Sequence, residues 1–265
     1  MISFSELRKH SYLIRQYLRR QIALRYKSTA LGVAWSLLNP LCMLVIYTFV
    51  FGVIMHARFG LGNAETPIDY GLAIFCSLNF FNLCAEAMSR SPRLILLQPN
   101  LVKKVVFPLE ILPIVSVLDA LVHCVLAFVP LFVMVAIAHR TIPWSFAWLP
   151  CYLIPTTFLA LGLGLFLSAL GVFIRDVENL VAPAITMLLL VSAIFYPLSV
   201  VPDSMRFWYS LNPIVIIVDG ARRSLIWGIP PNPVALTVVT LGGAIFAFLA
   251  GAFFLKAKPA FADVM

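Results

Sequence analysis

The sequence predicts an all-α integral membrane protein. It has six transmembrane helices, an N-terminal amphipathic helix at the interface and short external re-entrant helices before the last span. Three observations lead there. Of 265 residues, 62% are apolar and 11% charged, against about 45–50% and about 25% in soluble domains. Six apolar runs are long enough to cross a hydrocarbon core of ~30 Å as helices. The basic residues divide unevenly among the loops that join those runs. The same composition excludes disorder, a collagen-like chain and a disulfide-rich secreted scaffold. It also excludes a large catalytic domain in water, because no long polar stretch exists to build one.

Residues 1–29 form a first unit and 30–265 the transmembrane domain. The chain does not open on a signal peptide, since basic residues continue to Lys27 before any apolar run. Residues 6–27 suit a surface helix instead. At about 100° per residue, Leu7, Leu13, Ile14, Tyr17, Leu18, Ile22 and Leu24 share one half of the wheel. Arg8, Lys9, Arg15, Arg19, Arg20 and Lys27 share the other, and only Arg25 lies on the apolar side. Such a helix lies in the headgroup plane.

The first span is Ala30–Met55, uncharged and kinked or begun by Pro40. Tyr70–Met88 is the second, with Glu86 near its end, where it can snorkel to water. Ile111–Ala138 is the third and carries Asp119 and His123. A fourth runs from about Trp148 to Ile174, a fifth from Asn179 to Pro202 and a sixth from about Val234 to Leu255. With both termini inside, the cytoplasmic segments hold 14 of the 19 Lys and Arg residues and the external ones five: Arg58, Arg140, Arg206, Arg222 and Arg223. That bias favours N-in, C-in. Two connections are unusual. Ser91–Glu110 is amphipathic and broken by prolines, as a short helix along the membrane face would be. Asp203–Pro233 is external yet rich in Phe, Trp, Tyr and Ile, which points to helices dipping back into the interface.

Little in the chain suggests covalent chemistry. There is no GxxxxGK[ST] phosphate loop and no HExxH, GxSxG or EF-hand pattern. The five cysteines form no CxxC pair or Cys/His cluster and read as small packing residues. The basic excess of +8 reads as orientation and lipid contact, with no nucleic-acid partner. Asp119 and His123 stand four apart on one helix face. They suit either a proton relay or a mutually satisfied polar pair; the second reading is stronger, because no further carboxylates extend a proton path. Small residues at helical spacing, Ala160, Gly164 and Ser168, then Gly243, Ala247 and Gly251, describe a packed bundle. Phe195, Tyr196, Phe207, Trp208 and Tyr209 cluster at the outer end of the fifth span. They read as an interfacial belt or as an external gate on an aromatic-lined conduit.

A family resemblance then emerges. Arg25-Tyr26-Lys27-Ser28, Leu31-Gly32, Trp35 and Asn39-Pro40 resemble the opening of the polysaccharide-exporting ABC-2 type permeases, the membrane subunits of O-antigen, capsule and teichoic acid exporters. Asn100-Leu101-Val102-Lys103-Lys104-Val105, Phe107-Pro108, Glu110 and Pro113 look like that family's loop after span two. Ser192 to Pro197, Val201-Pro202, Leu211-Asn212-Pro213, Arg222 and Gly228 match its C-terminal pattern, so the resemblance covers nearly the whole chain.

The resemblance implies a homodimer with two separate ATP-binding cassette ATPase subunits on the cytoplasmic side of a bacterial inner membrane. ATP and Mg would bind to those partners, and this chain would hold no cofactor. Asn100, Leu101, Val102, Lys103, Lys104, Phe107 and Pro108 would form the coupling helix. Arg25, Lys27, Arg222 and Arg223 would be contacts to the pyrophosphate or lipid of a lipid-linked polysaccharide, or to membrane lipids. The cargo implied is an O-antigen, with capsular polysaccharide or teichoic acid as alternatives. A more distant rival is a proton-coupled secondary transporter using Asp119 and His123. A membrane enzyme would need a carboxylate cluster that the 11 acidic residues do not form. Drug- or ion-exporting ABC-2 permeases usually carry a large external domain where His56–Asp69 is only a short loop.

Overall fold

The computed structural model describes residues 10–26, 35–60, 66–103, 107–140 and 144–264, with Ser36 and Leu37 described by backbone alone. Leu7, Arg8, Lys9, Lys27, Ser28, Leu31, Gly32, Lys104 and Val105, all used in the sequence reading, lie outside the described residues, as does the start of the first span. The described residues contain helices and no strand. In chain order these are α1 (Ser11–Tyr26), α2 (Trp35–Tyr47), α3 (Pro67–Leu94), α4 (Pro99–Lys103), α5 (Ile111–His139), α6 (Leu149–Phe173), α7 (Val177–Val191), α8 (Asp203–Leu211), α9 (Pro213–Trp227), α10 (Pro233–Ala257) and α11 (Phe261–Val264).

Four helical stretches are long and apolar enough to cross a membrane: Pro67–Leu94, Ile111–His139, Trp144–Phe173 and Pro233–Val264. Two shorter apolar helices, Leu38–Ile54 and Val177–Val191, stand where the first and fifth spans are expected. The chain is therefore a multi-pass helical bundle, with four full-length helices among the described residues.

α3 is the hub. In its most apolar window 83% of residues are buried, against 28% in the window of α10, so α3 runs through the protein while α10 faces outward. α3 begins at a capping box: the Thr66 hydroxyl accepts from the Asp69 N–H, and the Asp69 carboxylate accepts from the Thr66 N–H at 2.9 Å. That fixes its start one turn before the expected Tyr70. It also ends later than expected, at Leu94, so Ser91–Leu94 belong to this helix rather than to a surface segment. Arg90 and Arg93 on those extra turns both find carboxylates, from Asp119 and Glu178 respectively.

Close helix contacts rest on small residues. A Cβ on Gly171 of α6 would strike the Pro92 carbonyl of α3, and one on Gly52 would strike the Pro67 carbonyl. The Ala160–Gly164–Ser168 stripe is buried, with Gly164 beside Val117 of α5 and Ser91 of α3. Gly243 and Gly251 are buried too, and α10 packs on α6 near Pro155 and Phe158.

The first and fifth spans depart from simple helices. α2, with Pro40 inside it, passes into a π-helical segment over Thr48–Ile54, a local widening that is uncommon outside functional regions. The expected Asn179–Pro202 span is corrected. α7 stops at Val191, about 22 Å of helix, short of a ~30 Å core. The chain then turns at Ala193, which has φ 51°. A side chain makes that break tolerable: Arg222 Nη1 donates to the Ala193 carbonyl at 2.8 Å and to the Tyr196 carbonyl at 3.5 Å. Freed backbone carbonyls within an apolar bundle need such donors. The connection from Asp203 folds into two helices. α8 buries none of its residues. α9 starts at the Asn212 cap, ends at Gly228 with φ 69°, and buries Ile214, Ile217, Val218, Ala221 and Leu225.

Candidate functional site

A groove of about 800 Å³ opens between α2, α3, α5 and α7. Its walls carry Asn39 from α2, Asn79 and Asn82 from α3, His123 from α5, and the rings of Trp35 and Tyr47. Asn39 and Asn82 are exposed. An amide facing hydrocarbon would lose its hydrogen bonds at a cost of several kcal/mol, so this groove suits water or a polar cargo. On α3 the polar residues fall at Asn79, Asn82, Glu86, Arg90 and Arg93. That spacing of three and four keeps them on one helix face. The pattern is visible in the sequence, but the apolar residues between hide it.

An ionic network stands where the groove meets α1. Arg25 Nη1 is 2.8 Å from Glu86 Oε1 and 3.3 Å from Asp119 Oδ2. Arg90 reaches the same two carboxylates, Glu86 at 2.5 Å and Asp119 at 2.7 Å. His123 Nε2 lies 3.5 Å from the other Asp119 oxygen. The Asp119 side chain is 2% exposed and those of both arginines 35%. This explains the one basic residue on the apolar side of α1: Arg25 points into the bundle. It also sharpens two sequence expectations. Glu86 stays partly exposed but is paired with both arginines, and Asp119 is held by two guanidinium groups rather than by His123 alone.

Aromatic rings pack into a plug that meets the groove at Tyr47. Phe195 stacks on Phe51 at 5.6 Å and lies 6.3 Å from Tyr47, whose ring lines the groove. The Tyr70 hydroxyl donates to the Phe195 carbonyl at 2.6 Å. Behind them Phe59 stacks on Tyr70 at 4.5 Å, and the Arg222 guanidinium sits 4.4 Å over the Phe59 ring. The five expected gate residues therefore separate. Phe195 belongs to the plug. The Tyr196 and Tyr209 hydroxyls meet at 2.8 Å and tie α8 to the end of α7, where Tyr196 also donates to the Leu190 carbonyl. Phe207 and Trp208 are exposed and touch each other at 5.7 Å, away from the plug.

The expected lipid contacts separate as well. Arg222 is fully buried and holds Asp219 at 2.6 Å, so no headgroup reaches it in this conformation; it is a structural clasp. Arg223 pairs with Asp219 at 2.8 Å and stays partly exposed. In the expected coupling segment, α4 shows Asn100 and Lys103 outward and half-buries Leu101 and Val102, with Phe107 and Pro108 half-buried after it. Among the described residues no cluster of His, Cys, Asp or Glu could hold a metal ion.

A multi-pass helical bundle with a groove that sets amide and charged side chains among apolar walls has the build of a transport subunit. Residues 12–226 match the ABC-2 type transporter family, and the chain belongs to it. Its relatives include two proteins of Klebsiella pneumoniae named O-antigen export system permease protein RfbA, each 24% identical over 248 residues, covering 93% of this chain and 92% of theirs. A Myxococcus xanthus protein of the same name is 23% identical over 261 residues, 97% of each chain.

Proposed function

We propose that this chain is the permease subunit of an ABC exporter that moves a lipid-linked polysaccharide, an O-antigen, across the bacterial inner membrane. The observation that carries this reading is a groove with amide and charged side chains in a chain that aligns nearly end to end with O-antigen permeases. Two copies pair through the outward apolar faces and extend the groove into a conduit. The amide side chains of Asn39, Asn79 and Asn82 exchange hydrogen bonds with sugar hydroxyls, while the rings offer faces along which a polymer slides. Lacking a phosphate loop, the chain takes its energy from two partner ATPase subunits, which engage α4 through Asn100 and Lys103. The loop charges support a cytoplasmic side for both termini and α4.

In a strain lacking this gene, surface polysaccharide is expected to vanish while its lipid-linked precursor accumulates inside. A deletion strain with normal surface glycan overturns the reading. If capsule or teichoic acid is lost instead, the cargo is the alternative one. The proton-coupled rival is disfavoured by geometry. Asp119 is tied to Arg25 and Arg90, and a relay needs a group free to pass its proton on.

A further inference from the structure

The segment that follows α10 is fastened to the region around α4. Phe261 has no exposed surface; its ring lies 5.4 Å from Phe254 of α10 and 5.8 Å from Phe173, the last residue of α6. Lys258 Nζ reaches Glu110 Oε2, the cap of α5, at 2.8 Å across 148 residues of sequence. α11 lies beside α4. Leu101, Val102 and Phe107 pack on the same buried cluster as Phe254 and Phe261, and Tyr17 of α1 meets Phe107 at 5.4 Å.

α4 has five residues, too few to carry a load along its own axis. A force on Asn100 or Lys103 leaves it through whatever its buried side presses on. Well-packed interiors transmit displacement because they compress little. The far side of this cluster is the end of α6 and α10, a helix pair joined by its whole length.

We propose that residues 258–264 are a strut, with Phe261 and Lys258 as positioning residues, that passes the movement of α4 into the α6–α10 pair. This rests on the reading of α4 as the ATPase contact. The geometry makes the strut separate from that contact: Phe261 and Lys258 touch the permease and leave Asn100 and Lys103 free to meet a partner.

The test uses the intact permease–ATPase complex in lipid vesicles, reading ATP hydrolysis and polymer export together. Phe261→Ala is expected to keep hydrolysis near wild type while export per ATP falls about three- to tenfold. Phe261→Leu, which refills most of the volume, restores most of it. Lys258→Glu weakens export per ATP, and the exchange Lys258→Glu with Glu110→Lys recovers it; this partly exposed pair tests the strut even where Phe261→Ala fails to fold. Wild-type export per ATP in both Phe261→Leu and Lys258→Glu, with no defect in Phe261→Ala, overturns the strut. So does a fall in hydrolysis and export in equal proportion, which marks simple loss of assembly. If Lys103→Glu leaves ATPase binding unchanged, the contact reading itself fails, and the strut falls with it by a different signature.

Discussion

Asp119 shows how much a single residue's meaning depends on its neighbours. By sequence its partner is His123, four residues on; in the structure its nearer partners are Arg90 at 2.7 Å and Arg25 at 3.3 Å. Its charge is structural, fastening α1 and α3 to α5. Asp119→Asn is therefore expected to leave ATP-driven export within about threefold of wild type, since Glu86 still holds both partly exposed arginines. Limited proteolysis should show α1 cut faster. A proton relay predicts complete loss of transport instead. Arg222 lies at the other extreme of burial. It bonds Asp219 and two backbone carbonyls from a site without solvent. Arg222→Met removes the donor from both carbonyls and leaves Asp219 to Arg223 alone, at a cost of about 1–3 kcal/mol, and the thermal unfolding temperature in detergent should drop accordingly. Arg222→Lys is expected to fail almost as badly, because an ammonium cannot reproduce the planar fork that spans all three acceptors.

At the scale of elements, α3 combines two jobs that usually conflict. It is the most buried long helix, and it carries the polar stripe of the groove. The two are compatible because the stripe is one side chain wide: Asn82 is exposed while Phe81 and Leu83 on either side are buried. Asn82→Leu is expected to preserve folding and ATP hydrolysis but lower export several-fold, since one good hydrogen bond is worth about 1 kcal/mol. Equal transport in the variant and the parent would show that the groove is not on the cargo's path. The break after α7 makes a further point at this scale. An apolar run of span length reads as one helix, yet Arg222 and the left-handed Ala193 turn its second half into the aromatic plug.

At the scale of the whole molecule, two different kinds of contact flank the groove. Ion pairs stand where it meets α1 and are sensitive to competing charge. Packed rings adjoin it at Tyr47, each pair contributing about 0.5–1.5 kcal/mol beyond area burial. Phe195→Ala removes the ring that stacks on Phe51 and borders Tyr47. Cells carrying it are expected to admit small polar dyes that the parent excludes, with ATP hydrolysis unchanged; an unaltered dye barrier would place the closure elsewhere.

What the sequence determined by itself is what depends on sums along the chain. The membrane class, the order of apolar segments, the missing phosphate loop and the family are all legible, because partition into lipid follows the composition of each segment. One local anomaly was legible too: Arg25 alone on the apolar side of its helix. Only the tertiary structure decided what Arg25 was for, since Glu86 and Asp119 lie 61 and 94 residues away. The same holds for Arg222, placed by its charge among headgroup contacts and by packing in the core. A charged side chain reads identically in a sequence whether lipid phosphate or a buried carboxylate answers it. Which one does is settled by helix–helix packing, through small residues such as Gly171 against Pro92 that bring distant segments into reach.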